Sequence, residues 1–172
     1  VFVTGNYFGG NIGGLSGADL ICQGLADSQF LGGNWKAWLS NDTIDAKDRI
    51  YPSNIPYSLL NGIVVADDWN DLISIDGGGP NYIKNSIIIN VTGSDIGPGE
   101  KTFTGTNVNG VRILGLNCNS WTTTLGNYEA GVTGTINNQW TDNGVYQCDG
   151  VGKLYCFEQP LCGNSIVKSP ET

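Results

Sequence analysis

TFTGTNVNG at 102–110, VRILGLNCNSW at 111–121 and YQCDGVGKLYCFE at 146–158 frame the part of the chain on which the fold depends. Between them runs a Gly-, Thr- and Asn-rich excursion that ends near Trp140. Cys118, Cys148 and Cys156 lie in this stretch, and Cys22 and Cys162 lie outside it. The excursion reads as too polar and glycine-rich for a continuous core element. Cys148 and Cys156 bracket an expected hairpin, with Asp149-Gly150-Val151-Gly152 as its turn and Lys153-Leu154-Tyr155-Cys156-Phe157 as a strand. Five cysteines permit several pairings, and their spacing alone does not choose among them.

Outside this stretch, composition sets the limits. A chain of 172 residues suits one domain, here 1–159, followed by a hydrophilic tail at 160–172. Five Trp, seven Tyr and five Phe supply a core, while 26 Gly and a charged fraction of only 14% favour loops and short strands over long surface helices. The net charge of -8, with basic residues scattered singly, argues against nucleic acid and anionic membranes as partners. No window supplies the roughly 18 apolar residues of a spanning helix. The start at Val1-Phe2-Val3-Thr4, without Met, reads as a mature or trimmed product. Several cysteines and scarce Lys point to an oxidising, extracellular setting. Asn41-Asp42-Thr43 and Asn90-Val91-Thr92 match the glycosylation triplet, a pattern that frequent Asn also produces by chance.

Read in order, Phe2-Val3-Thr4 is a first strand and residues 5–14 a glycine-laden loop without the register of a dinucleotide fingerprint. Ser16-Gly17-Ala18-Asp19 reads as a capping box, with Ser16 as N-cap, for a helix whose Ala18, Ile21, Cys22 and Leu25 share a face. Trp35 to Ser40 is a strand apolar on both sides, Ala37 and Leu39 facing one way and Trp38 the other. Asp42, Asp45 and Asp48 at helical spacing could converge on calcium, although they lack the EF-hand pattern. Tyr51-Pro52, Ile55-Pro56 and Asn61-Gly62 are turn signals around Tyr57-Ser58-Leu59-Leu60. Ile63-Val64-Val65-Ala66 is a short strand, and 67–73 is a short helix or turn that Asp67 or Asp68 could cap, before a break at Gly77-Gly78-Gly79-Pro80. Residues 83–91, with Ile87-Ile88-Ile89, form the most β-prone run. Phe103 sits in a short strand, and Asn109-Gly110 marks a tight turn.

Some chemistry is absent outright. No histidine exists, which removes His-based triads and His-supported zinc sites. No C-x-x-C occurs. Glu100, Glu129, Glu158 and Asp142 are nominal acids for glycoside hydrolysis, but nothing in the sequence pairs them. The expectation is a protein that is not an enzyme and requires no cofactor, with structural calcium as an option.

The order of these signals resembles the endostatin-like branch of the C-type-lectin-like fold, and within it an uncharacterised endostatin-like family of bacterial lipoproteins and surface proteins. The resemblance rests on Gly13-Gly14-Leu15-Ser16-Gly17-Ala18-Asp19 with Cys22, Ala37-Trp38-Leu39-Ser40, Asp48-Arg49, Thr104-Gly105-Thr106 and Asn109-Gly110. It continues through Cys118 with Trp121, Gly131, Trp140, Cys148 and Leu154-Tyr155-Cys156-Phe157-Glu158. It implies an α+β fold of short helices around a twisted, mostly antiparallel sheet with long disulfide-pinned loops. It also implies the pairs Cys22–Cys156 and Cys118–Cys148, leaving Cys162 unpaired or intermolecular. Trp140-Thr141-Asp142-Asn143 stands where lectins of the wider fold carry Trp-Asn-Asp, so Asp142 joins the calcium candidates, but no Glu-Pro-Asn or Gln-Pro-Asp precedes it. The zinc and heparin sites of endostatin itself do not carry over to a chain without His and with only Arg49 and Arg112.

The resemblance implies an extracellular or cell-surface location, with lipid anchoring through a region outside this chain, and adhesion to a host or matrix protein. A surface filament or layer formed by self-assembly is one alternative, and a degenerate calcium-dependent, carbohydrate-binding lectin is another. The expected binding surfaces are the loops at 93–99, with Ser94, Asp95 and Ile96, and at 122–143, with Tyr128, Asn137 and Asn138.

Overall fold

The computed structural model describes residues 1–73 and 83–160. The Gly77-Gly78-Gly79-Pro80 break and Cys162 lie outside the described residues. The chain is mixed α+β, with short helices, several antiparallel sheets and two disulfide bonds.

A three-stranded sheet in the order β1 (Phe2–Val3), β10 (Tyr155–Gln159), β3 (Asn34–Ala37) divides the interior. Its registers pair Phe2 with Cys156 and Cys156 with Ala37. Strand alternation sends successive side chains to opposite faces. Tyr155, Phe157 and Trp38 therefore enter one core cluster, with Trp140, Tyr57, Leu72 and Ile73. Cys156, Leu154, Ala37 and Leu39 enter the other, with Phe103, Trp121 and Tyr128. The two-sided burial expected around Trp38 follows from this: Trp38 packs on Trp140 and Phe157, while Leu39, its neighbour in sequence, points into the opposite cluster.

Helix α1 (Gly14–Ser28) lies against β3 and buries Ala18, Cys22 and Ala26. Ile21 and Leu25 are only half-buried. The helix begins three residues earlier than the capping box predicts. Gly13, at φ 79°, is the N-cap, and no side chain caps the helix. Ser16 is thus inside the helix, and Asp19 is free for a long-range contact. Its carboxylate accepts two bonds from Arg49, at 2.6 and 2.7 Å, and one from the Ala37 amide at 3.0 Å. Arg49 ends α2 (Ala46–Arg49) and also donates to the carbonyls of Ala37 and Leu39. One guanidinium therefore ties α1, α2 and the β3 segment together.

The expected strand at 63–66 is β5 (Val64–Ala66), which pairs antiparallel with β4 (Tyr57–Ser58), and α3 (Trp69–Ile73) follows, with the Asp71 amide donating to Asp68. The isoleucine-rich run is different. Ile83, Ile87 and Ile89 are buried, yet 83–91 forms no strand beyond an isolated bridge between Ile89 and Asp95. Its backbone bonds go to scattered partners: Ile83 to Ile136, Lys84 to Val65, and Val3 to Ile89. Burial won the side chains, but no continuous neighbouring edge was available for a ladder.

The excursion expected to lie over the surface holds a central strand. β7 (Asn127–Val132) runs between β6 (Lys101–Phe103) and β8 (Gly144–Gln147), all antiparallel. Gly131 makes this possible, because a Cβ there would meet the Trp140 carbonyl oxygen at 2.0 Å. Residues 148–156 do not form a hairpin. β9 (Val151–Gly152) pairs instead with β2 (Phe8–Gly9), inside the expected glycine loop, while β10 belongs to the central sheet. Gly152 packs on the Phe103 ring, and this close contact turns the chain from one sheet to the other.

Candidate functional site

The disulfides fix the frame. Cys22–Cys156 joins α1 to β10, and Cys118–Cys148 joins α4 (Cys118–Trp121) to the turn after β8. α4 is wound left-handed, with φ between 50° and 63° at Cys118, Asn119, Ser120 and Trp121. Each such residue costs about 1–2 kcal/mol, somewhat less for Asn. The surroundings over-determine the turn. Asn117 accepts from the Ser120 amide at 2.7 Å, the Trp121 amide donates to the Asn117 carbonyl, and the Trp121 indole donates to the Ser40 carbonyl at 2.7 Å.

The acids expected to converge on calcium are engaged separately. Asp42 accepts from the Gly115 amide and from Asn117. Asp45, 8% exposed, pairs with Arg112 at 3.0 Å and accepts from its amide. Asp48 is exposed on α2. Among the described residues no group of three or more His, Cys, Asp or Glu is placed to hold a metal ion.

Asp142 lies beside Glu129, a residue the sequence reading named but did not pair with it. Glu129 is 3% exposed and accepts from the Gly144 amide at 2.6 Å. Burial pushes its carboxyl up to about 7, with the hydrogen-bonded Asp142 carboxyl adding to the rise. Backbone bonds from Gly144 and Asn143 work in the opposite direction. A second carboxyl this close makes ionising the buried Glu129 more costly.

The two loops expected to bind are partly brought together. The Gly99 amide donates to the Thr133 carbonyl, and the Thr133 hydroxyl donates to the Gly97 carbonyl. Ser94, Asp95 and Asn138 are exposed, while Ile96 packs against the core and Asn137 accepts from the Gln139 amide. Tyr128 does not belong to a loop surface. It is 1% exposed on β7, with its ring against Phe103 and Trp121. Asn41 and Asn90 each use Oδ1 to accept from the following Thr at the second position.

A concavity lies where the face of the β6–β7–β8 sheet opens between Tyr7 and the turn at 149–151. It is an open groove of about 700 Å³. Tyr7 donates to Glu100 on one side, and this bond raises the phenol above its usual range. Lys153 places its ammonium 3.8 Å from the Tyr7 ring centroid and donates to the Gly5 carbonyl. Lys101 lies 3.9 Å over the Tyr146 ring. Tyr128 lines the groove from below, and burial pushes its phenol up to about 12. Its hydroxyl, like the side chains of Asn127, Gln147 and Asp149, has no hydrogen-bond partner among the described residues. Uncommitted polar groups between aromatic walls can orient a ligand. Sequence reasoning missed this groove because Tyr7, Lys101 and Tyr146 come together only through the β2–β9, β6–β7 and β7–β8 pairings.

No family model matches the chain, and no curated protein matches its sequence.

Proposed function

We propose that this chain is a non-enzymatic extracellular interaction module of the C-type-lectin-like, endostatin-like kind, and that it binds a protein partner through the groove beside Tyr146. The observation that carries the reading is the groove itself. The side chains of Asn127, Gln147 and Asp149 make no hydrogen bond to other described residues, and disulfide-linked strands hold them beside the Tyr146 ring. Exposed Val145 and Val151, at 53% and 54%, add apolar surface at its rim. Adhesion to a matrix or plasma protein is the reading's biological form.

The test uses immobilised protein, with a Tyr146→Ala/Gln147→Ala/Val151→Asp variant as control, exposed to purified matrix and plasma proteins. Binding by the wild type that falls at least tenfold in the variant supports the reading. Equal binding by both, or by neither across the panel, overturns it. A second reading, a degenerate lectin, draws on Asp142 in the Trp140-Thr141-Asp142-Asn143 stretch, which resembles the Trp-Asn-Asp triplet of lectins of the wider fold, with the Glu129 carboxyl beside it. Glycan binding abolished by a chelator would select it, and silence with and without calcium would remove it.

A further inference from the structure

The β8 edge of the groove carries an unpaired ladder. On β7, the Glu129 amide donates to Leu116, and its carbonyl accepts from the Thr104 and Gly105 amides. Both backbone groups of Glu129 thus point away from β8. Glu129 pairs with Val145 in register, so this is the non-hydrogen-bonded type of antiparallel pair. The Val145 N–H and C=O then project from the outer edge of β8, as does the Gln147 N–H two residues on. The Gln147 carbonyl accepts from the Gly150 amide. β8 has no neighbour on that side among the described residues.

Charge decides what fits there. Asp142 precedes β8 and Asp149 follows it, Glu100 lies in the same groove, and β8 itself carries no charged residue. A second copy adding its own β8 antiparallel would set the Asp142 end against the Asp149 end, carboxylate facing carboxylate, which is destabilising. A segment with basic residues at its flanks meets opposite charge at both ends. The rings accept cations too, as the ammonium groups of Lys101 and Lys153 show on Tyr146 and Tyr7.

We propose that β8 is the receiving edge for an extended, basic segment of a partner protein, which adds as a fourth strand to the β6–β7–β8 sheet. This inference rests on the protein-binding reading and specifies its mode. Main-chain bonds to Val145 and Gln147 supply the register, and Asp142 and Asp149 select lysine or arginine at either end.

The probe is a peptide of about eight residues, the extended length from Asp142 to Asp149, with lysine at both ends and alternating Thr and Val between. Comparison peptides carry glutamate ends, or N-methyl groups at alternate amides. The lysine peptide is expected to bind about tenfold tighter than the glutamate peptide, and to weaken as salt is raised. N-methylation on the inward edge should abolish binding. Asp149→Lys should reverse the preference, and amide resonances of Val145 and Gln147 should shift on titration. Equal affinity for both peptides, indifference to N-methylation, or shifts confined to residues away from β8 would overturn the inference. If matrix or plasma proteins bind but the lysine peptide does not compete with them, strand addition fails while the protein-binding reading stands. If the peptide binds and no protein on the panel does, the reading fails while the edge chemistry stands.

Discussion

Replacing Arg49 with Met tests the main polar crosslink of the fold. The Arg49 side chain is 7% exposed and makes four bonds, two to Asp19 and two to the carbonyls of Ala37 and Leu39. Methionine matches much of its volume but leaves Asp19 with the Ala37 amide as its remaining partner and the two carbonyls without this donor. Breaking a buried, hydrogen-bonded ion pair from one side costs about 3–5 kcal/mol. Asp19 is 28% exposed at its side chain, so water recovers part of this and the expected loss is about 3 kcal/mol. Urea unfolding followed by tryptophan fluorescence reads it as a lower midpoint at unchanged slope. Arg49→Lys keeps the charge without the fork and should lose about 2 kcal/mol. Adding Asp19→Asn to Arg49→Met should cost little more than the single change, because the stranded carboxylate is then gone. If Arg49→Met stays within about 1 kcal/mol of the parent, or if the two changes add, the crosslink is not what holds α1 to β3.

Gly131→Ala should destabilise by at least about 2 kcal/mol, since its Cβ would have to displace the Trp140 backbone; an unchanged thermal midpoint would refute that packing. Ser120→Gly, at φ 57°, should stabilise by about 0.5–1 kcal/mol by relieving the left-handed turn, and a loss in the same denaturant assay would show that the hydroxyl matters more than the backbone. Glu129 contributes stability in its protonated form that is fully present below about pH 4.5 and is lost as pH rises through about 7. Calcium-free unfolding curves should therefore show the parent losing about 2 kcal/mol across that window, discounted for partial solvation, with Glu129→Gln much flatter. Parallel pH profiles for the two proteins would contradict the raised Glu129 carboxyl.

The sequence revealed the features whose physics is local. The turn at Asn109-Gly110 is there, with the Gly110 amide donating to Asn107, and the apolar alternation around Trp38 predicts its two-sided burial. The pairs Cys22–Cys156 and Cys118–Cys148 came only from a resemblance, because spacing leaves cysteine connectivity open. What stayed hidden depends on partners far along the chain. Ile87-Ile88-Ile89 has strand propensity without an adjoining edge, whereas β7 has a ready edge on both sides and a composition that disguises it. Asp19 read as a cap because Arg49 lies thirty residues away, as the separation in their hydrogen bond records. The groove needed four strands from three regions before its rings met.

The Cys22–Cys156 bond also gives the domain a mechanical character. β1 and β10 are antiparallel neighbours, so a pull applied upstream of β1 and downstream of β10 would unzip their few bonds one at a time. Peeling could then continue only as far as Cys22, a slack of roughly 75 Å at the extended length per residue. Beyond that point tension would pass through sulfur to Cys156 and leave the domain. The intervening chain, a separation of 134 residues, would carry no load. Under such a pull Tyr7 and β2 would leave the groove with the segment paid out, while the β6–β7–β8 sheet beneath it would stay assembled.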